Sequence, residues 1–368
     1  MQTTIGVGSP QAIKRWATAL ATDTEKLMFF SRFIGKGDSN IIERKSELEK
    51  DAGDTVQFDL LMNLRGEMTE GDDVVEGKEE NLSFYQDEVK IDQARKGADA
   101  GGRMSRKRTL HDLRQSAKRA VSKFTAEWFD ELFFVYLSGT VAGANPDAKV
   151  KKQFAGNPVQ APDAYHMVYG GAATSAATLT SADIMNRDLI ERVSVLPRMM
   201  STLNPEVTRM SPVTVEGGGK HFVLLMSPWQ AHSLRTEKAE LSWADIQKAL
   251  ATAEGRSSPF CKGGLGMLND IVLHQHENVR YFNNYGAGGN VSAARSLFMG
   301  AQAGVVAYGE AGNGTRFQWE EELKDAKNRV AIYAGVIAGT KKTRFNGFDY
   351  GVVAVDTAAA NPNPPIAA

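Results

Sequence analysis

Two histidines and a glutamate crowd the stretch LHQHEN, residues 273–278, where His274 and His276 stand two apart and Glu277 follows. On a strand that spacing points both imidazoles to one side, an arrangement some zinc sites use to activate a water for hydrolysis. The other histidines, His111, His166, His221 and His232, have no companion ligand at a recognisable spacing. The pair therefore reads as polar residues at a strand end, and no metal or cofactor is expected. EGGGKH, residues 216–221, suggests a phosphate loop. Thr214 stands where that loop needs its first glycine, however, and His221 where it needs a hydroxyl. It reads as a glycine turn before a buried strand. Cys261 is the sole cysteine; without a base beside it, it is expected to be a buried thiol. Its solitude excludes an intrachain disulfide and fits a reducing cytoplasm. No G-x-S-x-G elbow, H-E-x-x-H helix or dinucleotide fingerprint appears. Catalysis has no positive support.

Charge carries a stronger signal. RGEMTEGDDVVEGKEE, residues 65–80, holds Glu67, Glu70, Asp72, Asp73, Glu76, Glu79 and Glu80 against Arg65 and Lys78. Residues 103–123 invert the sign, with Arg103, Arg106, Lys107, Arg108, Arg114, Lys118, Arg119 and Lys123 against Asp112 alone. The 368-residue chain is almost neutral, with 43 Lys and Arg against 44 Asp and Glu. No global excess recruits nucleic acid or an anionic membrane, so the two blocks are the message. The basic segment has three readings: a solvated helix face, a phosphate-binding surface weakened by its few aromatics, or a partner for carboxylates of another copy. The third explains more, because it accounts for the acidic block as well.

The elements that must hold these blocks follow from periodicity. TVQFDLLMNL, residues 55–64, alternates apolar and polar residues as a half-buried strand does, and NLSFYQDEVKI, 81–91, is its expected partner. If 55–100 forms one hairpin, its arms of about 18 residues reach roughly 60 Å, against a radius of gyration of about 21 Å for a compact chain of this size. Such a hairpin must lie along the body or leave it. From Leu110 to Val135 apolar residues recur at steps of three and four, the stripe of a long helix, with Thr109 and Asp112 as a capping box and Gly139 as its stop.

Residues 1–54, with one helical pattern over Ile13–Leu27, read as an arm, and 139–180 as loops. Beyond lies an α/β mixture. A helix capped at Thr180 and Asp183 ends at Pro197; HFVLLM, 221–226, is a buried strand followed by a helix with Ser227 as N-cap and Pro228 in its first turn. A second capping box, Ser242 and Asp245, opens a helix closed by Gly255. Strands are expected at 270–275 and 329–338, and Asn346-Gly347 is a hairpin turn. The longest apolar run, 132–144, is shorter than the ~20 residues of a spanning helix.

Arm, long hairpin, long helix and α/β region is the element order of the HK97-like major capsid fold of tailed phages, an α+β architecture. NDIVLHQHENVRYF (269–282), RSLFMGAQAGVVAYGE (295–310) and NRVAIYAGVIAGTKKTRFNGFDYGVVAVDT (328–357) resemble the major capsid family typified by the main head protein of N-four-like podoviruses. The resemblance implies a shell protein of the virion, assembled in the host bacterial cytoplasm and not an enzyme. Its implied divisions are an arm (1–54), an extended loop (55–103), a peripheral domain with spine helix (104–159), an axial domain (160–328), and C-terminal strands returning to the peripheral domain with a tail (329–368). Its implied partners are other copies in hexamers and pentamers, a separate scaffolding protein because 54 residues leave no room for a fused one, a portal protein at one vertex, packaged double-stranded DNA held without sequence preference, and in some shells a decoration protein. The particle would expand as DNA is packaged. The acidic tip would then face cations of an adjoining subunit, Arg106, Arg108, Arg114 or Lys118. The competing readings are a nanocompartment shell of the same fold, a metal-dependent hydrolase on His274 and His276, and a DNA-binding protein using the basic helix.

Overall fold

In the computed structural model, residues 20, 22–49, 53–61, 67–82, 84–143, 145–214, 219–237, 264–310 and 316–363 are described. The expected helix at 242–255, Cys261 and residues 216–218 of the EGGGKH loop lie outside them, as does most of the Ile13–Leu27 pattern, of which Leu20 and 22–27 are helical.

The basic segment forms two helices rather than one, Arg103–Arg108 and Leu113–Ser138. The break has a local cause. The Thr109 hydroxyl accepts the His111 N–H at 3.2 Å, a turn that competes with helix, and the Asp112 side chain caps the second helix by accepting from Arg114 and Gln115 N–H at 3.0 and 3.2 Å. Asp112 is thus the cap itself and not the far member of a box. Leu110, expected on the buried stripe, is fully exposed. The helix ends as expected at Gly139, whose φ of 69° is left-handed. A Cβ there would lie 2.2 Å from the Gln160 carbonyl oxygen, so only glycine fits.

This long helix packs on a six-stranded sheet centred on the strand Arg329–Lys342. One flank of that strand pairs with Phe317–Lys324 and then with Gly304–Tyr308; beyond the latter lie Ile42–Lys45 and Ile34–Gly35. The opposite flank pairs with Asp92–Gly102, from Ala338 opposite Asp92 to Arg329 opposite Gly102. Three expectations change. Residues 28–48 belong to the body, because Phe30, Phe33, Ile41 and Ile42 enter the main core. A boundary at 328 would cut this sheet between its paired strands. The hairpin is shorter at its root: among the described residues Thr55–Leu61 pairs with Phe84–Lys90, and Asp92–Gly102 leaves it for the sheet, while 62–64 of the expected strand lie outside the described residues.

The second sheet runs Met167–Tyr169, Val352–Ala358, Val291–Met299, Lys220–Met226, Ile271–Gln275, Gly266–Leu268, with Arg280–Tyr285 also on Val291–Met299 and Val213–Thr214 on Lys220–Met226. Its centre is covered on both faces, as continuous apolar strands require. Phe222, Leu224 and Met226 meet Leu189, Ile190 and Val193 of the helix Arg187–Leu203, while Val223 and Leu225 join the core beneath the long helix. The last strand therefore sits here, not with Arg329–Lys342 as expected.

Pro197 lies inside Arg187–Leu203 instead of ending it, and Asn186 caps that helix through Leu189 N–H at 2.9 Å. Burial of Val193, Pro197 and Met200 offsets the ~3 kcal/mol a proline costs there. Thr180 and Asp183 bond each other in a local turn. The Ser227 cap is as expected and completes a capping box with Gln230.

Candidate assembly interface

His274 and His276 are placed in an aromatic cluster. His274 lies 5.5 Å from the Phe33 ring, and His276 lies 4.7 Å from Phe29 and 5.0 Å from Phe134, centroid to centroid. Burial, with help from Arg32, pulls the His276 imidazole down to about 4. A neutral ring packed on phenyl faces is core, and among the described residues no group of three His, Cys, Asp or Glu could hold a metal.

The hairpin root is fixed to the body by polar contacts and an apolar seam. Asp87 takes the Lys341 ammonium and the Arg344 N–H, the latter at 3.1 Å. The Asn157 amide accepts from Lys90 N–H at 2.9 Å and donates to Lys90 O at 2.8 Å, completing the backbone like another strand. The Asn157 carbonyl in turn accepts from the Tyr136 hydroxyl of the long helix at 3.2 Å. Val56, Phe58 and Val89 pack against Val305, Ala307, Phe345 and Tyr350. Residues 154–157 of the loop-like 139–180 stretch therefore strap the long helix to the hairpin. Sequence reasoning missed Asn157, since a single amide in a loop carries no pattern.

The tip behaves differently. All seven acidic residues, Glu67, Glu70, Asp72, Asp73, Glu76, Glu79 and Glu80, are exposed, and so are Met68, Val74, Val75 and Leu82. Its described ion pair is Lys78 to Asp73 at 3.3 Å, within the tip. The tip thus presents exposed apolar side chains among carboxylates.

The expected cations are partly engaged at home. Arg114 pairs with Glu321 and Lys118 with Asp23 at 3.9 Å. Arg106 donates to Asn328 O at 3.1 Å. Arg108 makes no ion pair with any described residue, and neither does Lys107. One chain does not bring tip and cations together. The hairpin root lies at the Gly339–Arg344 end of the long strand and the basic helices at its Arg329 end.

Other polar groups bind the two sheets and the long helix into one body. Arg295 and Asp356 face each other across paired strands and bond twice at 2.8 Å, while Arg295 also donates to Ser138 O at 3.1 Å. Asp163, although burial pushes it up, is held down to about 2 by His166 and by N–H bonds from Asp349 and Tyr165. Burial raises Asp130 to about 7 even though it accepts the Phe29 and Phe30 N–H groups.

These features define a class: an α+β body with a fixed hairpin root, an exposed acidic tip and a separate basic segment of opposite charge has the surface of a protein that joins other copies of itself. Comparison with known proteins makes the class particular. The family model described as phage capsid protein matches residues 4–361, and the chain belongs to that family. It is 23% identical to the major capsid protein of Pseudomonas phage KPP25, over 94% of each chain. The solved capsid of Ralstonia phage GP4 superposes with a TM-score of 0.86 at 51% identity, covering 99% of this chain and 100% of that one. The cyanophage Pam1 capsid asymmetric unit gives 0.68 at 22% identity, covering 90% and 92%. The fold is HK97-like. The chain is a major capsid protein of a phage head, a structural component of the virion that forms multimeric shells, and not an enzyme.

Proposed function

We propose that the shell is icosahedral, built of hexamers and pentamers, and that it encloses double-stranded DNA. In this reading residues 55–103 form the loop that reaches the adjoining subunit, and among the described residues 55–61 and 84–90 pair as its hairpin. Leu113–Ser138 is the spine. The peripheral unit gathers the six-stranded sheet, including strands from 28–48 and 304–342, and the axial unit the larger sheet. A separate scaffolding protein, a portal at one vertex and, in some shells, a decoration protein are the accessory partners, and assembly proceeds in the host cytoplasm.

The observation that carries this reading is the contrast between a hairpin root locked to its own body and a tip left in water. The tip's seven carboxylates would face Arg106, Arg108, Arg114 and Lys118 of the next copy. Arg114 and Lys118 would share their present partners Glu321 and Asp23, and Arg108 has no ion pair with any described residue. Each exposed pair contributes at most ~1 kcal/mol, so repetition around the shell supplies the effect.

The test is assembly of the full chain with its scaffolding protein, viewed by negative-stain electron microscopy. Closed shells are expected from the native sequence. Reversing Glu70, Asp72, Asp73 and Glu76 to lysine should abolish most of them, with partial recovery when Arg106 and Arg108 are reversed. Shells unchanged by the first reversal would refute the contact.

A further inference from the structure

The long strand Arg329–Lys342 leads into a short hairpin, Arg344–Phe345 paired with Phe348–Asp349, which closes over a buried cluster of charge. The side chains of Lys342 and Asp349 are 3% and 1% exposed, and the Lys342 ammonium lies 2.6 Å from Asp349 Oδ2. Arg344 Nε stands 3.0 Å from the other oxygen, Oδ1, in a geometry that leaves both atoms without a hydrogen bond among the described residues. Asp163 holds the backbone at this point. Its Oδ2 accepts the Asp349 N–H at 2.7 Å, and it is bonded in turn to the fully buried His166 at 2.9 Å.

Withdrawing two opposite charges from water is costly, and their attraction offsets that cost only where the remaining lone pairs are satisfied. Those of Oδ1 are not. Burial accordingly pulls the Lys342 ammonium below the ordinary lysine range and pushes the Asp349 carboxyl up, both toward the neutral amine and the neutral acid. An amine held at 2.6 Å from a carboxylic acid in a site closed to water is a reactant pair. Fixed proximity supplies the effective concentration, and exclusion of water suppresses the hydrolysis that reverses amide formation in solution.

We propose that Lys342 and Asp349 join in an intrachain amide. One proton passes from Nζ to Oδ2 along their hydrogen bond, and the Nζ lone pair then forms a bond to Asp349 Cγ. Negative charge develops on Oδ1 beside the Arg344 guanidinium, a cation placed where it stabilises that charge. A second Nζ proton moves to the Oδ2 hydroxyl as the Cγ–Oδ2 bond breaks. One water leaves, one hydrogen stays on the amide nitrogen, and nothing is oxidised or reduced. The bond fastens the end of the long strand to the short hairpin, whose Phe345 packs with Tyr350 against Val56 and Phe58, so the platform beneath Thr55–Leu61 keeps its shape. It does not depend on the shell reading, because every participant lies within one chain.

The test is the intact mass of the purified full chain, denatured before measurement, beside Lys342→Arg and Asp349→Ala. The native chain is expected to show a form lighter than its sequence by one water, and each variant to show none. Masses are compared as differences between chains, so that processing of the N-terminus cancels, and denaturation means that neither variant has to fold. Tryptic digestion of the native chain should fail to cut after Lys342, and fragment ions should join Lys342 to Asp349. A native chain found only at full mass would overturn the proposal. So would a lost water that persists in either variant or that fragmentation assigns to other residues.

Discussion

Asp130 and His276 grip the same phenylalanine from two sides, and they titrate in opposite senses. The Asp130 carboxylate accepts the Phe29 N–H at 2.9 Å, and the His276 ring lies 4.7 Å from the Phe29 ring. Burial raises Asp130 from 3.8 to about 7. Between those values the folded chain holds a proton the unfolded chain has lost, so this group's contribution is full below pH 3.8 and is lost as pH rises through 7. His276 falls from 6.5 to about 4. There the unfolded chain holds the extra proton, so its contribution is present above pH 6.5 and is lost as pH falls through 4. Each slope is about 1.4 kcal/mol per pH unit. Across pH 4 to 6.5 they oppose each other and nearly cancel. Asp130→Asn should expose the histidine slope: relative to the native chain, the variant loses about 3 kcal/mol on going from pH 6.5 to 4.5. His276→Gln should show the reverse, gaining a similar amount over the same interval. Urea denaturation of unassembled subunits at pH 4.5, 5.5, 6.5 and 7.5 measures both, taken as differences from the native chain so that other titrating groups drop out. Parallel profiles for Asp130→Asn and the native chain would refute the buried, high-affinity proton.

Two further changes probe the supports of the interface. Asn157→Ala removes both bonds to the Lys90 backbone, leaving a partly buried N–H and C=O unpaired at about 1–3 kcal/mol. Hydrogen exchange at Val89–Ile91 should accelerate by at least tenfold while the core of Leu113–Ser138 stays protected. Asp356→Asn leaves the buried Arg295 guanidinium without its counter-charge, a change that costs about 3–5 kcal/mol, and thermal melting of the subunit should fall by several degrees.

Much of the fold was legible where one strand or helix carried its own pattern. The alternation from Thr55 to Leu61, the apolar run Lys220–Met226, the Ser227 cap and the Asn346-Gly347 turn, with φ of 51° and 79°, are each written within a few residues. Asp92–Gly102 was not legible. DQARKGADAGG has neither alternation nor β-branched residues, and it is a strand because Arg329–Lys342 pairs with it. Its small residues serve the partner: a Cβ on Gly97 would lie 2.7 Å from the Tyr333 ring. The hairpin was overestimated for that reason. The split of the basic helix turned on whether Thr109 would bond its own backbone, a choice between two local geometries that spacing cannot resolve. At the candidate site, the acidic and basic blocks were visible in the sequence. The engagement of Arg114 and Lys118 by Glu321 and Asp23 depends on tertiary placement and was not.

The geometry also explains why the strongest polar anchors sit at the root and not at the tip. In the proposed shell of hexamers and pentamers, a subunit that meets neighbours in slightly different settings needs one contact set that never changes and one that forms only on encounter. Asp87, Asn157 and the Phe58 to Phe345 contact belong to the first set, because all their partners lie within the chain. In the proposed reading the tip belongs to the second: its exposed carboxylates and apolar side chains are covered only when another copy arrives. Holding the root rigid reduces the conformational entropy lost when the tip docks. Keeping acids around the apolar residues limits indiscriminate association of free subunits, because tip-to-tip contact juxtaposes like charges. The same arrangement makes the shell interface sensitive to changes at Asn157 and Gly339, where a Cβ would meet the Lys90 carbonyl oxygen at 1.8 Å, although neither residue touches the neighbouring subunit in this reading.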